Sequence, residues 1–356
     1  LGTATNASNV SKGATTAVKS IIVTGCAGLL GSHFTRHLLA EGYRVVGIDD
    51  LSGGYSDYLP KETGRTPELT TKFEFCPFNL VTSHKALDKV FQQEKAAACF
   101  HLAAYAAEGL SPFIRRYNYT NNVVASANVI NACINSDTKL IFTSSMAVYG
   151  DQPAPFDEEM VPRPIDPYGI AKYAVEMDID VASCQHGLRY NVVRPHNVVG
   201  IYQNIWDKYR NVVGIFIRRA LDNESILIYG DGLQTRAFSD IQYYMEPFEK
   251  LIYGHDREVY NIGADQSFTI NHLADRVCYE AKKYGISTTV THKESRHEVK
   301  EAYCNHQKAK DQLDFKDETD LEDLVSKMFV WALDQPHRKQ KVMQYEVEKG
   351  IYDYWK

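Results

Sequence analysis

The segment VTGCAGLLGSH narrows the fold more than any other feature of this 356-residue chain. It sets Gly25, Gly28 and Gly31 between the apolar run SIIVTG and the amphipathic run LLGSHFTRHLLAEG. Glycines at this spacing let a strand turn tightly into a helix and leave the backbone open to an anion at the helix N-terminus. The same rhythm continues, with YRVVGIDD, AACFHLAA and KLIFTSS as short strands and HKALDKVFQQE and NNVVASANVINACIN as helices. Nearly continuous apolar strands separated by amphipathic helices imply a parallel sheet covered on both faces.

The pattern therefore predicts an α/β fold, a Rossmann-type doubly wound parallel sheet over residues 20–200. YAVEMDIDVASCQHG supplies a further helix and RYNVVRPH a further strand, and later strand–helix units are free to return to the sheet. Residues 201–356 predict a smaller C-terminal α/β substrate lobe, with helices at NVVGIFIRRALDN, FTINHLADRVCYEAKKYG and LEDLVSKMFVWALDQ and a strand at SILIYGDG. Residues 1–19 are small, polar and without period, which predicts a flexible tail.

A net charge of -6 argues against an extended nucleic-acid surface, so any phosphate must be held by helix N-termini or single arginines. The seven cysteines form neither a CxxC pair nor a Cys/His ligand spacing, which points to a reducing, cytoplasmic setting and to no metal. The longest apolar stretch, AAACFHLAAYAAEGL, is broken by His101 and Glu108, too short and too polar to span a membrane.

Asp49 and Asp50 end the strand that follows the glycine loop. A carboxylate there accepts from ribose hydroxyls and repels a 2′-phosphate, which favours NAD over NADP. In DPYGIAKYAVE, Tyr168 and Lys172 are four apart on one face of a helix that Asp166 and Pro167 start. A phenol becomes a base at neutral pH only when a nearby cation stabilises its anion, and Lys172 is placed to supply one.

Taken in order, VTGCAGLLGSH, DDLSGG, FHLAA, YNYTNNVVAS, FTSSMAVYG, YGIAK, VVRPHNVVG, ILIYGDGLQTRAF and VYNIGA carry a resemblance. The chain resembles the extended short-chain dehydrogenase/reductases of the nucleotide-sugar epimerase and dehydratase group, most closely their UDP-glucose 4-epimerase-like members. The resemblance implies that Ser145 bonds the reacting sugar hydroxyl, Tyr168 exchanges its proton, and Lys172 holds the nicotinamide ribose. It implies an NAD site from Gly25, Gly28, Leu29, Leu30, Gly31, Asp49, Asp50, Asn79, Leu80, Leu102, Ala103, Ala104 and Asn122, with His196 near the nicotinamide. It also implies a nucleotide-sugar site from Glu108, Asn197, Asn211, Tyr229, Arg236 and Arg296, and a homodimer through sheet-flanking helices.

Three departures from the family pattern stand out. Asn79 takes the place of a frequent Asp, Ala237 and Gln242 replace carboxylates in RAFSDIQYY, and the loop AYAAEGLSPF does not match the usual epimerase loop over the sugar. The pair after Ser145 decides among reactions. Dehydratases, decarboxylases and reductases of the group place an acid, a base or a thiol there, whereas this chain has Met146 and Ala147. A 4-epimerase needs only the shared machinery. The alternatives are a relative that draws its acid or base from elsewhere, such as Glu108, and a silent NAD-binding sensor or scaffold.

Overall fold

Short buried strands and amphipathic helices alternate in the computed structural model, which describes residues 19–60, 72–295, 301–339, 342–352 and 355. Strands β1 (Ser20–Thr24), β2 (Arg44–Ile48), β3 (Phe73–Cys76), β4 (Ala98–His101), β5 (Lys139–Thr143) and β6 (Tyr190–Pro195) make most of the central sheet. Helices α1 (Leu29–Ala40), α2 (His84–Glu94), α3 (Arg115–Tyr119), α4 (Ala125–Ser136) and α5 (Pro167–His186) flank it, a π-helical turn at Thr120–Val124 joining α3 to α4. Beyond them come β7 (Val198–Val199), α6 (Val212–Leu221), β8 (Ile226–Tyr229), β9 (Thr235–Ala237), β10 (Ser239–Asp240), α7 (Met245–Lys250) and β11 (Glu258–Ile262). The described chain then runs through β12 (Ser267–Thr269), α8 (Ile270–Lys283), β13 (Val290–Lys293), β14 (Glu301–Ala302), α9 (Gln307–Leu313) and α10 (Leu321–Leu333).

Seven strands pair in the order β3-β2-β1-β4-β5-β6-β11, all parallel. Chain order reverses between β1 and β4, which opens a crevice at their carboxyl ends, where open α/β sheets hold ligands. Strand alternation splits the core as the sequence pattern demands. Ile21 and Val23 face α1, while Ile22 faces α2, α4 and α5. On the first face Phe34 packs within 4.4 Å of Phe100 and 5.6 Å of Phe248, ring centre to ring centre.

The small lobe has a separate core from α6, α8, α10 and β8, including Trp206, Phe216, Leu273 and Phe329. Its boundary is not a single point in the sequence. β11 returns to pair with β6, and Tyr244, Phe248, Leu313 and Phe315 pack beneath α1, so the sheet layer draws on residues well past 200. Residues 1–18 of the expected tail lie outside the described residues.

Candidate active site

The crevice begins at the glycine loop. Gly25 has φ +73° and lies so close to β4's exit that a Cβ would come within 2.7 Å of the Ala103 nitrogen. At Gly31 a Cβ would stand 2.0 Å from the Gly25 carbonyl oxygen, so glycine there lets α1 seat against the turn. Gly28 caps α1 with no side chain of its own, which leaves the first N–H groups of the helix facing the crevice. A Cβ on Gly28 would meet only the Gly25 carbonyl, at 3.3 Å, and would otherwise fill the open cradle. Leu29 and Leu30 pack on the core side of this turn.

Gly25, Gly28, Asp49, Asp50, Asn79, Leu80, Leu102, Ala103 and Ala104 line one cleft together. Asp49 ties the loop to the strand end, accepting from the Ala27 N–H at 3.0 Å and the Leu51 N–H at 2.8 Å. Burial pushes its carboxyl up, and the two N–H groups oppose that rise. A carboxylate has about four lone-pair sites, so Asp49 keeps acceptor capacity for ribose hydroxyls. Asp50 accepts from Ser52 and from the Asn79 amide, the latter at 2.5 Å. Asn79 turns its oxygen to the N–H groups of Val81 and Thr82. Asn122 stays behind the wall, bonding both backbone groups of Tyr105 and so holding the loop after β4.

The second half of the site is built on the start of α5. Asp166 caps this helix by accepting from the N–H groups of Tyr168 and Gly169 at 2.8 and 3.0 Å, with Pro167 at the first helical position. A Cβ at Gly169 would come within 2.6 Å of the Ala147 carbonyl oxygen, so the helix start packs directly on the turn after β5. That contact brings Tyr168 to Ser145, whose side chain bonds the phenol. The Ser145 oxygen also accepts from the Ala147 N–H at 3.1 Å, which leaves its proton for the phenol.

Burial pushes the Tyr168 phenol far up, against the lowering effect of the Ser145 bond, and the nearby Glu108 raises it further. Lys172, one helical turn on, is buried with its Nζ 5.8 Å from the Tyr168 ring centre and 2.7 Å from the Thr143 carbonyl. Desolvation lowers its ammonium to about 7, with Glu176 opposing. A buried phenol held in its protonated form and an amine that titrates near neutrality are thereby side by side.

The other expected residues fall into three places. His196 turns away from the cleft into the junction with the small lobe, stacked on His306 with the two Nε2 atoms 2.8 Å apart. Gly263 makes room for it, since a Cβ there would overlap the imidazole. The ring is thereby held by a buried contact at the junction of the lobes. Cys304 joins the two histidines, and potential ligand atoms of all three lie within 4.8 Å of one another. The hydrogen bond between the imidazoles satisfies both nitrogens, and His306 Nδ1 rests on Asp265 at 2.9 Å.

Asn197, at φ +42°, has a buried amide nitrogen with no partner among the described residues. Asn211 spends its side chain on local structure, accepting from the Val213 N–H and donating to the Val198 carbonyl. Tyr229 closes β8 and Arg236 lies in β9, both in the small lobe and apart from the glycine-loop wall. Glu108 opens a short 3-10 turn whose Ser111 is tied to Asp166. Arg296 lies outside the described residues.

Tyr105, Tyr117, Asn121 and Arg210 also line the cleft and were not expected there. The only signal for Arg210 is the run YQNIWDKYRN, rich in aromatic and charged residues yet without helical or strand period. A C-terminal strap adds Met343, Ile351 and Trp355 against Tyr105, Leu110 and Phe113. All seven cysteines are free, and no helix among the described residues is long and apolar enough to cross a membrane.

Comparison with known proteins agrees with this geometry. The family model described as the NAD dependent epimerase/dehydratase family matches residues 21–263. A UDP-glucose 4-epimerase of Caenorhabditis elegans is 30% identical over 350 residues, covering 89% of this chain and 98% of the relative. A UDP-N-acetyl-alpha-D-glucosaminuronate decarboxylase of Bacillus cytotoxicus is 28% identical over 269 residues, covering 73% and 79%. The crystal structure of a Thermotoga maritima UDP-glucose 4-epimerase with UDP-glucose superposes with a TM-score of 0.79 at 28% identity, covering 88% of this chain and 98% of that one. The open Gly28 cradle and the acceptor capacity of Asp49 suit the cofactor that the family uses. With the match extending from β1 past the last strand of the central sheet, the chain belongs to the NAD dependent epimerase/dehydratase family.

Proposed function

We propose that this member of the nucleotide-sugar epimerase/dehydratase group is a nucleoside-diphosphate-sugar 4-epimerase, with UDP-glucose and UDP-galactose as its substrate pair. The observation that carries the reading is the composition of the turn after Ser145. Met146 and Ala147 pack there as apolar residues beside the catalytic hydroxyl, and neither can donate or accept a proton. The shared machinery then suffices for reversible oxidation at one carbon.

NAD, when bound, supplies the acceptor and donor of hydride. Ser145 orients the sugar hydroxyl, its own oxygen being pinned by the Ala147 N–H. Tyr168 takes the hydroxyl proton and later returns it. Lys172, its Nζ 5.8 Å from the Tyr168 ring centre, is the cation placed to stabilise the phenolate that burial otherwise disfavours. Asn197, Arg236 and Arg296 anchor the nucleotide diphosphate and Tyr229 lies against the base while the sugar turns, the division of labour that epimerisation demands. Residues 20–200 serve mainly the cofactor and 201–356 mainly the substrate.

A second copy of the chain is expected to cover Ile170, Met177 and Val181, an exposed apolar stripe along α5. The free cysteines favour a reducing, cytoplasmic setting.

A second reading has one observation behind it. Glu108 lies close enough to Tyr168 to raise its phenol, so it could serve a dehydratase, decarboxylase or reductase as the missing acid or base. Incubating purified protein with UDP-glucose, UDP-galactose, their N-acetyl forms and UDP-uronic acids, without added cofactor, separates the two. Chromatography with mass spectrometry should find interconversion at unchanged mass. Loss of water or CO2, or no reaction with any of these sugars, overturns the epimerase reading.

A further inference from the structure

Among the described residues that line the cleft with Gly25 and Gly28, Arg210 is the only lysine or arginine. It precedes α6 and so belongs to the small-lobe side of the chain, whereas the loop it faces belongs to the sheet. Its posture is fixed by three contacts. Nε donates to Asp207 at 2.9 Å, one Nη donates to the Gly53 carbonyl at 3.3 Å, and the guanidinium carbon sits 5.1 Å from the Tyr105 ring centre. Asp207 is fully buried and is itself held by the Tyr209 N–H at 3.0 Å and the Tyr105 hydroxyl at 3.4 Å.

The remaining terminal nitrogen, Nη1, has no hydrogen-bond partner among the described residues. A Cβ added to Gly53 would stand 3.7 Å from it, so it lies at the rim of the same loop. A guanidinium with an unspent donor edge, braced by a buried carboxylate, is a phosphate-binding device. The other charged groups of the cleft wall, Asp49 and Asp50, are acidic and would repel a phosphate.

We propose that Arg210 is a clasp for the cofactor's diphosphate, reaching across from the small-lobe side to close the cleft over the helix N-terminus of α1. The glycine loop holds the diphosphate from below through N–H groups, and Arg210 holds it from above through Nη1. Asp207 is the positioning residue that keeps the guanidinium extended. Because the Arg210 contact to Gly53 also bridges the two sides of the cleft, the cofactor leaves only when that bridge opens. Retention of NAD through purification is therefore set by this arginine as well as by the glycine loop. The inference rests on the NAD dependence of the family and is independent of which sugar is the substrate.

The test compares the full-length wild type with Arg210→Met and Arg210→Lys, using three soluble probes by calorimetry: adenosine, ADP-ribose and UDP. NAD carried through purification is also measured per protomer. In Arg210→Met, affinity for ADP-ribose should fall about tenfold or more, the size expected for one charge-assisted contact. Adenosine and UDP affinities should stay unchanged, and carried NAD should drop. Arg210→Lys should recover part of the ADP-ribose affinity, and its thermal unfolding without ligand reports whether it is folded should the Met variant not be. Unchanged ADP-ribose affinity and NAD content in a folded variant would overturn the clasp. A fall for UDP alone would assign Arg210 to the substrate's diphosphate and overturn it equally. A wild type that binds neither NAD nor ADP-ribose would instead count against its use of the family cofactor.

Discussion

Lys172 and Arg194 are both buried and both near Glu176, yet the protein has moved them in opposite directions. Lys172, on α5, meets one carbonyl, and desolvation lowers its ammonium to about 7. Arg194, on β6, is opposed by the same desolvation, but its fork onto both Glu176 oxygens, at 3.0 and 2.6 Å, outweighs it. A third bond to the Tyr149 hydroxyl and the Ser144 hydroxyl on Glu176 complete a closed network. The difference teaches that paired charge at this site serves the fold, whereas the charge left short of partners is the one available to chemistry. A saturated ion pair cannot titrate near neutrality, and an under-paired amine can.

Four experiments bear on this contrast. The largest effect is expected on the chemical side. Tyr168→Phe should lower turnover about a thousandfold or more while leaving the unfolding temperature within a degree or two, because the phenol's value is its proton. A fold-breaking Tyr168→Phe would mean that the site is structural.

Arg194→Met should show the reverse pattern. It strands Glu176 in the interior and should cost roughly 3–5 kcal/mol in denaturant unfolding. A loss below about 1 kcal/mol would erase the contrast. Next, Lys172→Met should cut turnover about a hundredfold yet melt no lower than wild type at pH 6. The sign follows from linkage: the folded pKa of about 7 lies below the ordinary 10.5, so holding this proton in the fold costs stability below pH 7. Across pH 7 to 10.5 the unfolded chain binds the extra proton, and wild-type stability should rise with pH relative to the Met variant.

The smallest effect concerns two buried imidazoles that follow the rule for Lys172. Burial, helped by Lys172, lowers His101 from 6.5 to about 3, and burial with His306 does the same to His196. Both are neutral in the fold and protonate on unfolding. Stability should decline as pH falls from about 6.5 towards 3, with a slope approaching two protons per molecule. His101→Asn should remove one proton from that slope. A flat profile over this range would show that neither histidine is held neutral.

How much of this was legible beforehand differs by element. The glycine loop, the acidic strand end and the Tyr168–Lys172 spacing could be read because each is set by neighbours within a few residues. The cap on α5 is of the same kind, since Asp166 and Pro167 act on the very next turn. The stacking of His196 on His306 could not be read because the two are 110 residues apart and nothing local announces the pair. Arg210 was missed for a related reason: its value comes from Asp207 beside it, but its target is Gly53, 157 residues earlier. The strap is invisible to periodicity altogether, although the Glu346 carboxylate accepts the N–H groups of Arg116 and Tyr117 at 2.7 and 2.9 Å and caps α3.

By itself the sequence determined the parallel sheet, the glycine loop and the placing of Tyr168 and Lys172 on one face of a capped helix. Apolar periodicity and turn chemistry are local constraints, and they survive in a linear reading. Only the tertiary structure decided which buried charges are neutralised and which are left reactive. It also decided which side of the cleft carries the Asp207-braced guanidinium of Arg210. Those outcomes depend on desolvation and on partners that the fold brings from distant parts of the chain, so the same Lys, Arg or His reads alike in sequence and behaves differently once packed.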